Sequence, residues 1–299
     1  MRSDAQQTAQ AALSIRLREL LPPETTERFI GGTHTCRFAD NLLPSFSAEQ
    51  VETLCGQLAR GAGEELAATA SGKRRAHAPY SSAALAANAF GGWIGAEHQL
   101  QIAGLGGFDT SISLEHKLRI AHRGGTANLD CLLQSPSTLV GIESKLTEPL
   151  ARHQPVEWKA PYKTEAMAAL LQDGWLEAFQ ASLTGAWKPQ HLGLEQLLKH
   201  ALALNSHAAG RVTHLVYVYW EPANGSKIPE VTTHRAEVAE LARTIEDAQP
   251  HLHPLSYEEM LDEWISIPDD IIRPADHVNC LRARYGNVKV APTLAAPAL

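Results

Sequence analysis

The 299-residue chain predicts an α/β domain with a central mixed β-sheet flanked by helices. Three observations predict it. Two apolar runs, Asn128 to Leu133 and Leu139 to Leu146, flank Gln134-Ser135-Pro136-Ser137, whose composition is that of a turn. A further apolar, β-rich run, Arg211 to Trp220, follows a long stretch of helical spacing, so it can return parallel to an earlier strand by a crossover. Segments of helical spacing lie before, between and after these runs, the order of a sheet with helices packed on it.

In chain order, residues 5 to 21 carry a helical stripe of Leu13, Leu17, Leu20 and Leu21 that stops at Pro22-Pro23. Ser47 is placed to cap a second helix through Arg60, with Glu49 in its first turn. Ser81 or Ser82 caps a third, through Phe90, before Gly91-Gly92. Strands and turns then run to about Lys145. Residues 164 to 183 read as helix, and so do 192 to 204, where Leu194, Leu197, Leu198 and Ala201 form an apolar stripe. A helix from Thr233 or His234 reaches about Ala248, and Ser256-Tyr257-Glu258-Glu259 is a capping box that opens a last helix. The alanine- and proline-rich tail from Ala291 is expected to fray.

The organisation expected is a helical extension over 1–75 that can pack on the core, a core over 76–235, and a C-terminal helical extension with its tail over 236–299. No apolar run approaches a membrane span, and Met1 to Gln7 lack the apolar segment of a signal peptide. Cys36, Cys55, Cys131 and Cys280 are scattered without a CxxC pair, so reduced thiols in a cytoplasmic protein are expected. A net charge of −7 argues against indiscriminate coating of nucleic acid. The one compact basic run, Lys73-Arg74-Arg75 after Ser71-Gly72, is either a phosphate patch or a solvated loop.

The chemistry concentrates in the hairpin. Strand residues two apart share a face, so Glu143 and Lys145 project together, and tight pairing brings Asp130 near Glu143. Two carboxylates and an ammonium inside apolar runs are costly to bury. A divalent cation held by Asp130 and Glu143 offsets their repulsion and leaves Lys145 facing whatever the metal binds. The bland alternative is an Asp130–Lys145 salt bridge at a sheet edge with Glu143 solvated.

This arrangement resembles the active site of the PD-(D/E)XK nuclease superfamily, the restriction-endonuclease-like fold. Leu114 to Leu118 resembles its first core strand, Ala127 to Asp130 its second, Gly141 to Glu148 its third and Leu215 to Trp220 its fourth. The wording of Ala127 to Leu133, Gly141 to Leu150 and His77 to Trp93 is similar to a bacterial group of restriction endonucleases. The resemblance covers roughly residues 77 to 222, and it departs from the superfamily's name in having no proline before Asp130. It implies a restriction-endonuclease-like core and a metal-dependent nuclease that hydrolyses phosphodiester bonds, in DNA, with a metal-activated water. Asp130, Glu143 and Lys145 are then catalytic, and Asp130, Glu143 and the Ser144 carbonyl hold the metal. Hard oxygen ligands favour Mg²⁺ or Mn²⁺ over Zn²⁺. Glu115 is either a further acidic catalytic ligand or a solvated strand glutamate paired with Lys117 or Arg119. DNA is the expected partner, no membrane is involved, and a homodimer is among the assemblies this reading allows. The alternative is a catalytically inactive protein of the same fold that binds nucleic acid or protein.

Other residues carry less. Glu148 falls just past the third strand, and Gln196, Lys199 and His200 share a helix face that is either solvated or lent to the site. His251-x-His253 and His34-x-Cys36 lack a second ligand pair at zinc spacing. Ser206, Ser226 and Ser256 show no nucleophile elbow, and Gly104-Leu105-Gly106-Gly107 lacks the lysine of a phosphate-binding loop.

Overall fold

A computed structural model describes residues 3–26, 29, 33–61, 65–68, 73–154, 157–268 and 274–291. Its centre is a five-stranded mixed sheet in the order β1 (Ser113–Arg119), β2 (Thr126–Gln134), β3 (Thr138–Lys145), β4 (Val212–Tyr219) and β5 (His251–Ser256). β1, β2 and β3 pair antiparallel, while β3–β4 and β4–β5 pair parallel. The turn between β2 and β3 is closed by Ser135, whose hydroxyl oxygen accepts the Ser137 and Thr138 N–H groups.

Helices cover both faces. Within the first 100 residues lie α1 (Asp4–Leu20), α2 (Pro23–Thr26), α3 (Ala48–Arg60) and α4 (Ser82–Gly91). Between β3 and β4 lie α5 (Glu165–Ala168), α6 (Asp173–Thr184) and α7 (Leu194–Ser206). α8 (Pro229–Ile245) joins β4 to β5, and α9 (Tyr257–Ile265) and α10 (Pro274–Tyr285) end the fold. One core gathers Leu13 of α1, Leu54 of α3, Phe90 of α4, Trp264 of α9 and Leu281 of α10 against Val140 and Ile142 of β3. The other gathers Trp175 of α6, Leu198 and Leu202 of α7 and Leu241 of α8 against Leu129 and Leu215. Each such leucine removed from water contributes about 1.5–3 kcal/mol, so both faces of the sheet hold the layers together.

The caps follow the expected chemistry. Ser47 and Gln50 form a reciprocal capping box on α3, Ser81 accepts the Ala84 N–H on α4, and Ser256 with Glu259 opens α9. The parallel return expected for the strand after the helical excursion is the β3–β4 pairing. Four features differ from the sequence expectation, the first being that the Ser256 box opens α9, which α10 follows, and not the last helix. Residues 164 to 183 form two helices, because the chain turns Leu171 into the core and restarts at Asp173. There Gly174 lies so close to α8 that a Cβ would stand 1.8 Å from the Thr244 carbonyl oxygen. β5 was not anticipated, because Pro254 breaks its pattern; an edge strand tolerates a proline whose missing N–H faces away from the ladder. α8 starts at Pro229, which supplies a helical φ at the first turn, rather than at Thr233. Ser71-Gly72 and most of the tail from Ala291 lie outside the described residues.

Candidate active site

The β2–β3 ladder opens where the acids stand. Its last bridged pair is Cys131↔Ile142, and the next residues in that register are Asp130 and Glu143. On the other side β1 and β2 keep one register from Ser113↔Leu132 to Arg119↔Thr126, in which Glu115 faces Asp130. Glu115, Asp130 and Glu143 therefore form one row across three strands, and Glu143 continues it by pairing with Tyr217 of β4.

The backbone is unusual along that row. Glu115 has a φ of +50°, a left-handed conformation that costs a non-glycine residue about 1–2 kcal/mol. The alternation of faces reverses there. Leu114 packs in the first core and Leu118 in the second; Leu129 packs in the second and Cys131 in the first. Gly61, which ends α3, closes on this bend, and a Cβ at that position would lie 2.4 Å from the Cβ of Glu115. Such strain persists only where the surroundings enforce it.

Glu143 is almost wholly buried at 1% exposure and has a basic side chain at each oxygen. Lys145 pairs with Oε1, and His200 Nε2 lies 2.7 Å from Oε2. Burial pushes the Glu143 carboxyl up, but Lys145 and His200 outweigh it and hold the group below the usual carboxylate range. Lys145 Nζ also donates to Gln196 Oε1 at 2.9 Å. Burial alone would lower the ammonium, yet Glu143, Glu148 and Asp130 hold it above the usual lysine range. Asp130 is in the opposite condition. Its Oδ2 accepts the Ser144 N–H at 2.6 Å, but burial and then the charge of Glu143 push its carboxyl well above the ordinary range. The Ser144 hydroxyl in turn lies 2.7 Å from the Tyr257 hydroxyl of α9.

These side chains open on a cavity of about 200 Å³ lined by Glu115, Asn128, Asp130, Glu143, Lys145 and Gln196, with Glu65, Ser82 and Ala83 on its far wall. Lys145 is thus committed to Glu143, not to Asp130 as the edge salt-bridge reading had it. Glu115 is buried and faces the cavity, so it is not a solvated strand glutamate. Glu148 pins the turn after β3, accepting from the Ser82 hydroxyl at 2.7 Å and the Leu146 N–H at 2.9 Å. The solvated-face reading of α7 fails for His200, which is 1% exposed, and for Gln196, which is bonded to Lys145. Lys199 leans away over Trp158 and Tyr162, at 5.4 and 5.8 Å from their ring centres. The entry of α7 is fixed by Glu237, whose carboxylate accepts the N–H groups of Gln190, His191 and Leu192.

Two contributors carried no sequence signal. Glu65 sits in a stretch without periodicity and reaches the cavity only through the tertiary fold, where Arg75 of the basic run stands 3.9 Å away. Tyr257 lies inside a capping box, a pattern that speaks of a helix start and not of the strand it bonds. His214 and His253 meet at 3.0 Å on the β4–β5 edge, where His214 pairs with Val140, three residues along β3 from Glu143, and neither lines the cavity. Among the described residues no group of three or more His, Cys, Asp or Glu side chains forms a ready metal-binding arrangement. No helix of the structure is long and apolar enough to cross a membrane.

A family model described as Restriction Endonuclease associating with ARP matches residues 7–286. No curated protein and no solved structure matches the chain. The match spans nearly the whole chain, and the chain belongs to that restriction endonuclease family. The mixed sheet flanked by helices is consistent with a restriction-endonuclease-like core.

Proposed function

We propose that the chain is a metal-dependent nuclease of the PD-(D/E)XK type that hydrolyses phosphodiester bonds in DNA. The observation that carries this reading is the placement of Asp130, Glu143 and Lys145 around one cavity at the point where the β2–β3 ladder opens. A structural ion pair does not need a second, partly buried carboxylate beside it, and Asp130 is penalised where it stands.

The donor set suits a hard divalent cation. Asp130, Glu143 and Glu115 line the cavity with oxygen donors, and the Ser144 carbonyl between Glu143 and Lys145 would add a fourth, which favours Mg²⁺ or Mn²⁺. Of these, Asp130, Glu143 and the Ser144 carbonyl are the proposed ligands, and Glu115 supplies further negative charge. Such a cation, when bound, polarises a phosphoryl oxygen and makes a neutral-pH nucleophile of water. The protein does the rest. His200 holds one oxygen of Glu143 in place, so the carboxylate has a fixed orientation. Gln196 takes one of the three Lys145 protons and aims the ammonium along the strand face. Glu143 takes another, which leaves Lys145 one donor for an oxygen of a phosphate, where negative charge builds in the transition state. The apolar cores packed on either side of the sheet lie behind these groups, so their contacts are stronger than they would be in water.

The family's name records an association with ARP, and a partner of that kind is part of the proposal. The test is incubation of the full chain with single- and double-stranded DNA and RNA in Mg²⁺ or Mn²⁺, beside Glu143→Gln. Cleavage of DNA by the wild type and its loss in the variant is the expected result. A wild type that cuts none of these substrates in either metal moves the assignment to an inactive binding protein of the same fold.

A further inference from the structure

Beyond Glu115 and Asp130 the β1–β2 pair runs on as a two-stranded ribbon, through His116↔Leu129, Lys117↔Asn128, Leu118↔Ala127 and Arg119↔Thr126. Its turn is made tight by left-handed residues at His122, Arg123 and Gly125. One face is buried. Leu118, Ile120, Ala127 and Leu129 pack in the second core with Trp158, Tyr162 and Met167. The other face is open, with Lys117, Arg119, Thr126 and Asn128 all exposed, as is Arg123 at the tip.

The charge on this ribbon runs against the rest of the molecule. From His116 to Leu129 there is no aspartate or glutamate, in a chain whose net charge is −7. Several arginines elsewhere are neutralised locally, Arg37 by Asp40, Arg235 by Glu221, and Arg282 by Glu258 and Asp262. Among the described residues no ion pair involves Lys117, Arg119 or Arg123. Two unneutralised cations on one rigid face and a third at its tip cost the fold self-repulsion and leave it poised for anions. The face also starts at the carboxylate row. Lys117 is two residues from Glu115 along β1, a step of roughly 6.6 Å. A second cavity, of about 400 Å³, contains Lys117 and the exposed Arg60 and shares Glu115 with the first.

We infer that the open face of the β1–β2 ribbon binds the phosphate backbone of duplex DNA and lays the cleaved strand across the carboxylate row. This rests on the reading of that row as a phosphodiester site. Charge complementarity selects the occupant: a series of unpaired cations leading to a site for one phosphate matches a polymer of phosphates. Lys117, Arg119 and Arg123 position the backbone and carry no sequence information. A two-stranded ribbon fixed by a packed inner face presents them on a backbone that needs no ordering, so only side-chain freedom is lost on binding.

The test uses the full chain without divalent metal, so that binding is read apart from cleavage. Anisotropy of a labelled duplex is followed from about 50 to 200 mM salt for wild type and for the triple variant Lys117→Gln, Arg119→Gln, Arg123→Gln. The positions are exposed, and an unchanged thermal midpoint verifies the fold. Three lost phosphate contacts should reduce the slope of log affinity against log salt by roughly 2.7, and weaken binding at the low-salt end by ~10²-fold or more. Arg235→Gln, which removes a cation already paired with Glu221, should leave both quantities unchanged. Equal affinity and slope in wild type and triple variant overturn the inference, and so does wild-type binding of single strands in preference to duplex. The two readings fail separately. A chain that cuts DNA but binds it independently of the ribbon loses only this inference, while one that binds through the ribbon and cuts nothing loses the nuclease reading and with it the placement of a cleaved strand, but keeps the ribbon as the backbone-binding face.

Discussion

Asp130→Asn separates a functional carboxylate from a structural one, because the two predict opposite signs. The substitution keeps the shape and the acceptor for the Ser144 N–H while removing the charge. Facing cross-strand carboxyls stand roughly 5 Å apart. At an effective dielectric of about 20, two like charges at that distance repel by roughly 3 kcal/mol. Attraction of Asp130 to Lys145 is of similar size and opposite sign, so the two largely cancel. The hydrogen bond from Ser144 weakens by about 1 kcal/mol when its acceptor becomes neutral. Against that stands release from a desolvation penalty of several kcal/mol for a fully buried carboxylate, taken here as about 2–3 because Asp130 is only partly buried. The net expectation is a variant about 1–2 kcal/mol more stable than wild type without metal, a rise of about 2–6 °C in Tm.

The pH dependence has a definite sign. Burial and Glu143 raise the folded-state pKa of Asp130 above its unfolded value of about 3.9. The unfolded carboxyl therefore loses its proton first, and the native state binds more protons in the window between the two values. Stability falls as pH rises through that window. The advantage of Asp130→Asn should be absent near pH 3, emerge above about pH 4, and be complete once the folded carboxyl has ionised. Metal should reverse the ranking. At a hundredfold excess over its Kd, Mn²⁺ stabilises wild type by about 2.7 kcal/mol and the variant by little. Thermal melts in EDTA and in Mn²⁺ across this pH range measure every quantity. A variant less stable than wild type at pH 8 in EDTA, or one that gains the same stability from Mn²⁺, refutes the reasoning and makes Asp130 a structural partner of the β3 backbone.

Other perturbations follow from the same geometry. Lys145→Ala should leave Mn²⁺ affinity in calorimetry nearly intact, since an ammonium is no ligand, but cut cleavage by ~10²-fold or more; Lys145→Arg should rescue poorly, and equal cleavage by the alanine variant would place the active site elsewhere. His200→Ala removes the hydrogen-bond partner of a buried carboxylate and leaves a buried gap, so denaturant melts should show a loss of about 2–4 kcal/mol, and cleavage should fall through kcat rather than KM; a surface-like effect below about 0.5 kcal/mol would contradict the burial. Gly61→Ala should destabilise by about 1–3 kcal/mol, because its Cβ would collide with Glu115, and it should impair cleavage although Gly61 touches no substrate; wild-type stability and activity together would show the bend at Glu115 to be pliable.

What the sequence disclosed and what it withheld follow one physical division. Strands and caps are local: the Ser47 and Ser256 boxes, the Ser135 turn and the run into β4 rest on neighbours within a few residues, so they are legible from spacing. The phasing of Glu143 with Lys145 is legible for the same reason, since a strand repeats every two residues. The rest of the site is tertiary. His200 and Gln196 lie on α7, which is aimed by Glu237 of a different helix, and no periodicity within α7 tells which stripe will meet a buried carboxylate. Glu65 and Tyr257 arrive from opposite ends of the chain. The bend at Glu115 is the instructive case. A strand read by alternation puts Leu114 and Leu118 on one face, yet they belong to different cores, because a left-handed residue between them reverses the strand. That reversal frees one face of the ribbon for solvent while leaving its inner face packed, and it sets the carboxylate row at the boundary. The local rule fails at the residues where the fold brings acids and cations together, as expected where strain is retained for a site rather than for stability.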